Sequence, residues 1–156
     1  MRRLAAVIVF ATLAACGPSA PPENPSTPAV TQPAASSAEN DAAIAALPAP
    51  YNEASYEAGR RVFAQCRSCH TINAGEANRV GPNLHGVFGR EIGTAPNFNY
   101  SQVVQDANFT WDAAQLDHWL ANPQTFMPGN RMAFAGVRNE EQRRDVIAYL
   151  MVESGR

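Results

Sequence analysis

The sequence contains no lysine, and its 12 basic residues, all of them arginine, are outnumbered by 14 acidic residues. A chain with this balance has no basic face that could hold a phosphate backbone by releasing counterions, so we expect no nucleic acid partner. The 156 residues, 46% of them hydrophobic, are enough for one small globular domain of about 100 residues and some excess chain.

Cysteine is also scarce, because only Cys16, Cys66 and Cys69 are present. Three cysteines cannot all pair within one chain, so a disulfide framework explains the count poorly. Cys16 lies far upstream of the other two. The single cysteine and the pair therefore need separate explanations.

Residues 1–15 are typical of an export signal, since two arginines precede an uncharged apolar run that ends in small residues. The run has about 12 residues, fewer than the about 20 that span a bilayer as a helix, so a permanent transmembrane segment is the weaker interpretation. The letters LAAC at residues 13–16 resemble the lipobox of bacterial lipoproteins. That resemblance implies that Cys16 is acylated and becomes the first residue of a chain anchored to the periplasmic side of a bacterial membrane. An ordinary cleaved signal that leaves an exported thiol is the alternative.

Residues 16–50 follow as the anchored cysteine and a segment rich in proline, alanine, serine and threonine, with eight of the 12 prolines. Such a segment has too few large apolar side chains to offset its ordering entropy. We predict a disordered tether, in which residues 42–47 form at most a transient helical turn. The predicted mature chain is acidic, so the membrane contact must come from the lipid anchor rather than from attraction to anionic lipids.

Residues 51–156 show helical periodicity and form the predicted domain. Ser55 is a suitable N-cap for a helix that leads into the motif CRSCH. Two thiols three residues apart, Cys66 and Cys69, can add across the two vinyl groups of a haem, and the imidazole of the adjacent His70 can then reach the iron. The motif therefore predicts one covalently attached haem c.

Two other chemistries use cysteine pairs. A structural zinc site needs about four ligands, but the sequence has no second CxxC, and only His85 and His118 remain as candidates. A thioredoxin-like pair is expected beside a βαβ pattern, and no convincing strand is evident. Haem attachment is therefore the favoured interpretation.

A methionine is the natural candidate for the second axial ligand of the iron. Met1 is lost with the signal, and Met151 falls in an amphipathic helix where packing is its default role. Met127 and Met132 remain, and their spacing in the sequence does not separate them.

From about residue 54 to residue 152 the sequence resembles a class I cytochrome c of the mitochondrial and purple-bacterial type. Four motifs carry the resemblance in the same order: CRSCH, GPNLHGVFGR, NPQTFMPGNRMAFAGV and DVIAYL. It implies an all-α fold in which the first and last helices of the domain cross around a covalently bound haem. Gly59, on the same helical face as Phe63, is then expected to allow a close contact with Tyr149 or its neighbours.

The resemblance also implies roles for individual residues. Cys66 and Cys69 form the thioether bonds, His70 is the proximal ligand and Met132 is the distal ligand, whereas Met127 falls where the family has an ordinary apolar residue.

Four further positions match family residues around the haem. The carbonyl of Pro82 orients the ligand imidazole, and Arg90, Tyr100 and Trp111 bind or neutralise the haem propionates. An exposed arginine and two core aromatic residues are the alternative for the last three. The chain departs from the family in lacking the lysines that soluble members present to acidic partners, and in having Trp119 where a tyrosine is common.

An iron with imidazole on one side and thioether on the other has no open position, so we expect an electron-transfer protein rather than an enzyme. Family analogy suggests a monomeric, membrane-tethered periplasmic carrier between a cytochrome bc complex and a terminal oxidase or photosynthetic reaction centre. A ligand-binding or catalytic haem protein is one alternative. A fixed electron-transfer subunit of an oxidase or dehydrogenase is the other.

Overall fold

A computed structural model describes residues 36–156. The predicted signal, Cys16 and residues 17–35 of the predicted tether lie outside the described residues. In the described part the regular elements are α1 (Ser37–Ala45), a 3₁₀ helix (Tyr51–Glu53), α2 (Tyr56–Phe63), α3 (Gln102–Gln105), α4 (Ala113–Ala121), α5 (Pro123–Phe126) and α6 (Glu140–Glu153).

These helices confirm the predicted all-α fold class for residues 36–156. The β-pairing in this part of the chain is limited to one isolated antiparallel bridge between Glu91 and Thr110. None of its helices is both long enough and apolar enough to cross a bilayer.

Helices α2 and α6 cross at close range, as predicted. The Ser55 side chain caps α2 by accepting a hydrogen bond from the backbone N–H of Ala58. At the crossing, a Cβ atom added to Gly59 would lie 2.7 Å from the Cβ of Tyr149. The ring centroids of Phe63 and Tyr149 are 5.1 Å apart. Because Gly59 has no side chain, the two helices can approach each other closely at this point.

Helix α6 forms the centre of the core. Its N-cap is Asn139, whose side chain accepts a hydrogen bond from the backbone N–H of Gln142 (2.9 Å). Residues 145–150 are all buried, whereas an amphipathic surface helix buries a single stripe. The reason is that α1, α2 and α4 all pack against α6.

Helix α1 corrects the predicted boundary of the tether. Ser36 and Glu39 form a capping box, in which each side chain binds the other residue's backbone N–H. Ile44 is 3% exposed and belongs to the same core cluster as α6. The prediction of a disordered tether as far as residue 50 is therefore wrong for residues 36–50. A helix this short is marginal alone, and its packing against α6 supplies the missing stabilisation.

A chain of polar contacts joins α1 to the ends of α2 and α6. The Tyr56 hydroxyl donates to Glu153 (2.8 Å), and Arg156 forms an ion pair with the same carboxylate (2.6 Å). Arg156 also donates to the side-chain oxygen of Asn40, which is buried. These bonds fix the N-terminal helix to the C-terminus of the chain.

Candidate functional site

One cavity of about 560 Å³ opens into the core between the helices, within the ~300–1,000 Å³ typical of cofactor sites. Its walls include apolar side chains from α2, α4 and α6, among them Phe63, Leu116 and Leu150. All eight predicted site residues of the domain line it: Cys66, Cys69, His70, Pro82, Arg90, Tyr100, Trp111 and Met132. Cys16, the predicted lipidation site, lies outside the described residues.

The CRSCH motif forms successive turns directly after α2. The backbone N–H of Cys66 donates to the carbonyl of Phe63 (2.8 Å), and the N–H groups of Cys69 and His70 both donate to the carbonyl of Cys66 (3.0 and 2.9 Å). This tight winding brings all three side chains to the cavity. The two cysteines are free. Burial, followed by the neighbouring Cys69, raises the pKa of the Cys66 thiol to about 11, so the thiol is neutral at ordinary pH.

The orientation of the His70 ring is set by the segment that follows. Its Nδ1 lies 2.7 Å from the carbonyl oxygen of Pro82. Because a carbonyl oxygen only accepts, Nδ1 must carry the hydrogen, which leaves the lone pair on Nε2 free for a metal. Burial lowers the pKa of His70, and the bond to Pro82 opposes that effect in part. The imidazole is therefore kept neutral, as a metal ligand must be.

Gly81 leaves room for the imidazole. A Cβ atom at this position would overlap the ring of His70 and lie 2.7 Å from its Nδ1. The backbone N–H of Gly81 also donates to the carbonyl of Cys69 (2.9 Å), which ties this segment to the motif. Any residue larger than glycine at position 81 would therefore occupy the space of the His70 imidazole.

Met132 and Met127 are separated by the structure, although their spacing in the sequence did not separate them. Met132 lines the cavity and Met127 does not. The loop that carries Met132 returns to α4, where the N–H of Val137 donates to the carbonyl of Leu120 (2.7 Å). Gly136 has a φ of 91° and lies against the backbone of α4, so the loop has no room for a side chain there.

Arg143 fastens the end of the same loop. It is buried, and it donates to Asp117 on α4 (2.8 Å) and to the carbonyls of Val137 and Arg138 (3.0 and 3.1 Å). The guanidinium therefore joins α6, α4 and the end of the methionine loop at one point.

Arg90, Tyr100 and Trp111 border the cavity together, and the side chains of Arg90 and Tyr100 form hydrogen bonds with the backbone. Arg90 donates to the carbonyls of His85 and Asn83 (3.2 and 3.1 Å), and it forms no ion pair with any residue in 36–156. Burial lowers the pKa of Arg90 because it disfavours the charged form of the guanidinium. An anionic group in the cavity would supply the missing counter-charge.

Ser101 is a cavity residue that the sequence did not reveal. Its Oγ is buried and has no hydrogen-bond partner among residues 36–156. A group bound in the cavity would supply a partner for this hydroxyl. A single serine in a loop belongs to no periodic pattern or motif that would single it out in the sequence.

These observations fit a haem with two propionates. The cavity is mainly apolar, two free thiols and a neutral imidazole lie on its wall, and an uncompensated cation and an orphaned hydroxyl border it. The zinc interpretation does not fit, because residues 36–156 contain no group of three or more His, Cys, Asp or Glu side chains arranged to hold a metal ion.

Comparison with known proteins agrees with this fit. Residues 56–152 match the cytochrome c family model. The cytochrome c of Kluyveromyces lactis is 41% identical over 106 residues, which covers 67% of this chain and 96% of the relative. The cytochrome c2 of Rhodomicrobium vannielii is 41% identical over 97 residues, which covers 62% of this chain and 78% of the relative.

A solved structure supports the same assignment. Cytochrome cH from Methylobacterium extorquens aligns with a TM-score of 0.59 and 38% identity, covering 63% of this chain and 98% of its own. The chain therefore belongs to the cytochrome c family, whose members are electron carriers that bind haem c covalently.

Proposed function

We propose that this electron carrier binds its haem through Cys66, Cys69, His70 and Met132 and works from a lipid anchor on the periplasmic side of a bacterial membrane. The observation that carries the ligand assignment is that all four side chains line one apolar cavity. When bound, the haem iron supplies a centre that gains and loses one electron. The residues of the chain determine how it is held.

Cys66, Cys69 and His70 form the part of the proposed site that attaches the haem to the CRSCH motif. Cys66 and Cys69 would hold the haem covalently as thioethers, formed by addition of each thiol across a vinyl group. His70 presents Nε2 to the iron, because its Nδ1–H is committed to Pro82. That hydrogen bond makes the imidazole a stronger donor.

Met132 supplies a soft thioether, which stabilises the reduced iron and raises its potential. With His70 and Met132 as its ligands, the iron would have no position open to a substrate. The site is then suited to electron transfer and poorly suited to substrate chemistry.

Arg90, Tyr100, Trp111 and Ser101 hold the propionate end of the haem in this proposal. Arg90 supplies the positive charge, and the Ser101 hydroxyl supplies a donor that has no hydrogen-bond partner within the described part of the chain. A bare carboxylate near the iron would stabilise the oxidised state. Because these residues neutralise the propionate charge, they weaken that effect and so raise the reduction potential.

The anchor and tether complete the proposal. A diacylglycerol on Cys16, joined by residues 17–35, would hold the domain near the membrane. Because residues 36–50 pack with the folded domain, the proposed tether is limited to residues 17–35, which are 19 residues rather than 34. Its reach is about 24 Å as a flexible coil and about 60 Å as extended polyproline helix, so its partners must lie at the membrane surface.

Membrane complexes are the partners that such a reach favours: a cytochrome bc complex as donor, and a terminal oxidase or photosynthetic reaction centre as acceptor. Gel filtration of solubilised membranes tests mobility. We expect the protein to elute as a monomer, whereas permanent elution with a larger complex would support the fixed-subunit alternative. Mass spectrometry of the mature N-terminus tests acylation of Cys16.

A spectrum tests the axial ligands. The ferric protein should show the near-infrared band of sulfur bound to iron. We expect Met132→Ala to abolish this band and lower the reduction potential, and the control Met127→Ala to keep both. An unchanged band and potential in Met132→Ala would contradict the assignment and favour a haem protein with an open sixth position.

A further inference from the structure

We propose that Asn130 is a positioning residue for the Met132 ligand, because its buried amide fixes the backbone from which that side chain reaches the cavity. The inference rests on the proposed role of Met132. It adds a residue that neither the CRSCH motif nor the resemblance indicated.

The Asn130 side chain binds three separate points of the loop. Its Nδ2 donates to the carbonyls of Pro123 and Met127, both at 2.8 Å. Its Oδ1 accepts from the backbone N–H of Met132, also at 2.8 Å. One side chain, only 8% exposed, therefore connects α5, the turn after α5 and the ligand residue.

These partners fix which way the amide points. Both Pro123 and Met127 present carbonyl oxygens, which require the NH₂ group, and Met132 presents an N–H, which requires the oxygen. Gln124 donates to the second lone pair of the same oxygen (3.3 Å). All four hydrogen-bonding positions of the amide are thus filled, and only asparagine has both the donors and the acceptor at this length of side chain.

Gln124 holds the other side of the ligand residue. Its Nε2 donates to the carbonyl of Met132 (3.1 Å). The N–H and the C=O of Met132 are therefore both bound by amide side chains. Gln124 is itself exposed, so its removal perturbs the core little.

The loop has few other restraints at this point. Between the end of α5 and Met132 the chain passes through Pro128 and Gly129, and Gly129 has a φ of 89°. The backbone adds hydrogen bonds from Asn130 to Met127 (3.2 Å) and from Phe134 to the carbonyl of Met132 (3.0 Å), and the Arg131 side chain donates to the carbonyl of Asn99. None of these bonds holds the N–H of Met132. A methionine side chain has three rotatable bonds, so its sulfur is placed reliably only if its backbone is fixed. The amide of Asn130 provides that restraint.

The experiment compares Asn130→Ala with Asn40→Ala in the full-length, haem-loaded protein. Asn40 is the matched control because it is 7% exposed, and no residue of its helix lines the cavity. The probe is free imidazole, which can bind ferric iron only when Met132 leaves it. Unfolding free energy, the near-infrared sulfur band and imidazole affinity are measured for each protein.

We expect Asn130→Ala to bind imidazole about tenfold more tightly than the wild type and to lose intensity in the sulfur band, because the ligand loop loses a set of buried hydrogen bonds. Asn40→Ala should lose stability and keep the wild-type imidazole affinity and band. If both variants lose stability and neither changes in imidazole affinity or band, Asn130 is only a structural residue and the inference fails.

A second variant covers the case in which Asn130→Ala does not fold. Gln124→Ala removes one exposed donor from Met132, and we expect imidazole to bind about threefold more tightly. Unchanged affinity in this variant would overturn the inference. Failure of the proposed function looks different, because the wild type would then lack the sulfur band and Met132→Ala would alter nothing.

Discussion

Replacing Gly59 with alanine sets two effects of opposite sign against each other. An exposed glycine in a helix costs about 1 kcal/mol relative to alanine, so propensity alone predicts that Gly59→Ala stabilises α2. At this crossing, however, the new Cβ would overlap the carbonyl oxygen of Asp145 and lie 2.7 Å from the Cβ of Tyr149. Both neighbours belong to the backbone or its first carbon, so neither can rotate away.

Overpacking of this kind costs about 1–3 kcal/mol, and the rigid neighbours favour the upper end. After subtraction of the helix-propensity gain, we expect Gly59→Ala to lower the free energy of unfolding by about 2 kcal/mol and the Tm by about 5–10 °C.

Denaturant titration of the haem-loaded protein measures this difference. The control is Gly155→Ala, the same substitution at a position where the added Cβ meets its nearest atom at 3.9 Å. We expect the control to change stability by less than about 0.5 kcal/mol. If Gly59→Ala were more stable than the wild type by the roughly 1 kcal/mol expected from helix propensity, the close crossing of α2 and α6 would be refuted.

Three further predictions test separate parts of the structure. Gly81→Ala should displace the imidazole of His70 and weaken the low-spin haem spectrum. A wild-type spectrum would contradict the close contact between Gly81 and the His70 ring. Ile44→Ala should lower the unfolding free energy by about 2–5 kcal/mol because Ile44 is buried, whereas a tether that is not packed would give no change. Burial and then the hydrogen bond to Glu153 raise the pKa of Tyr56. The contribution of Tyr56 to the free energy of unfolding is therefore complete below its unfolded pKa of about 10 and is lost as the pH rises further. Unfolding measured from pH 8 to 11 should show a smaller alkaline loss in Tyr56→Phe than in the wild type, and equal slopes would contradict the assignment.

Local signals in the sequence were sufficient for much of the fold. Ser55 before α2 is a cap residue that acts through its own backbone neighbours. Gly59 could be matched to the α2–α6 crossing because helical periodicity places it on the face of Phe63. Each of these predictions depends on contacts within one turn or one helix face.

Helix α1 could not be predicted with the same reasoning. The composition of residues 17–50, averaged over the whole segment, is that of a linker, and a nine-residue helix is marginal without tertiary contacts. Its stability comes from Ile44, which enters the core cluster around α6, and from Asn40, which binds Arg156 at the far end of the sequence. The capping-box spacing of Ser36 and Glu39 was the one local signal.

The residues of the candidate site also fall into two groups, those with a local signal in the sequence and those that depend on tertiary contacts. The residues around CRSCH are close in sequence, and their roles follow from thiol and imidazole chemistry. Ser101 and Asn130 act through partners that only the folded chain brings near them, and short polar residues in loops carry no periodic signal. Spacing alone left Met127 and Met132 open because both belong to one loop. The resemblance favoured Met132, and the cavity wall includes Met132 but not Met127.

Covalent attachment of haem to the folded chain is the central claim, and extraction with acidified organic solvent tests it most directly. Such a solvent unfolds the protein and removes any haem held by ligands and packing alone. We predict that the colour stays with the polypeptide, and that the mass of the chain exceeds that of its residues by one haem. Haem that passes into the organic phase and leaves a colourless chain would contradict the account.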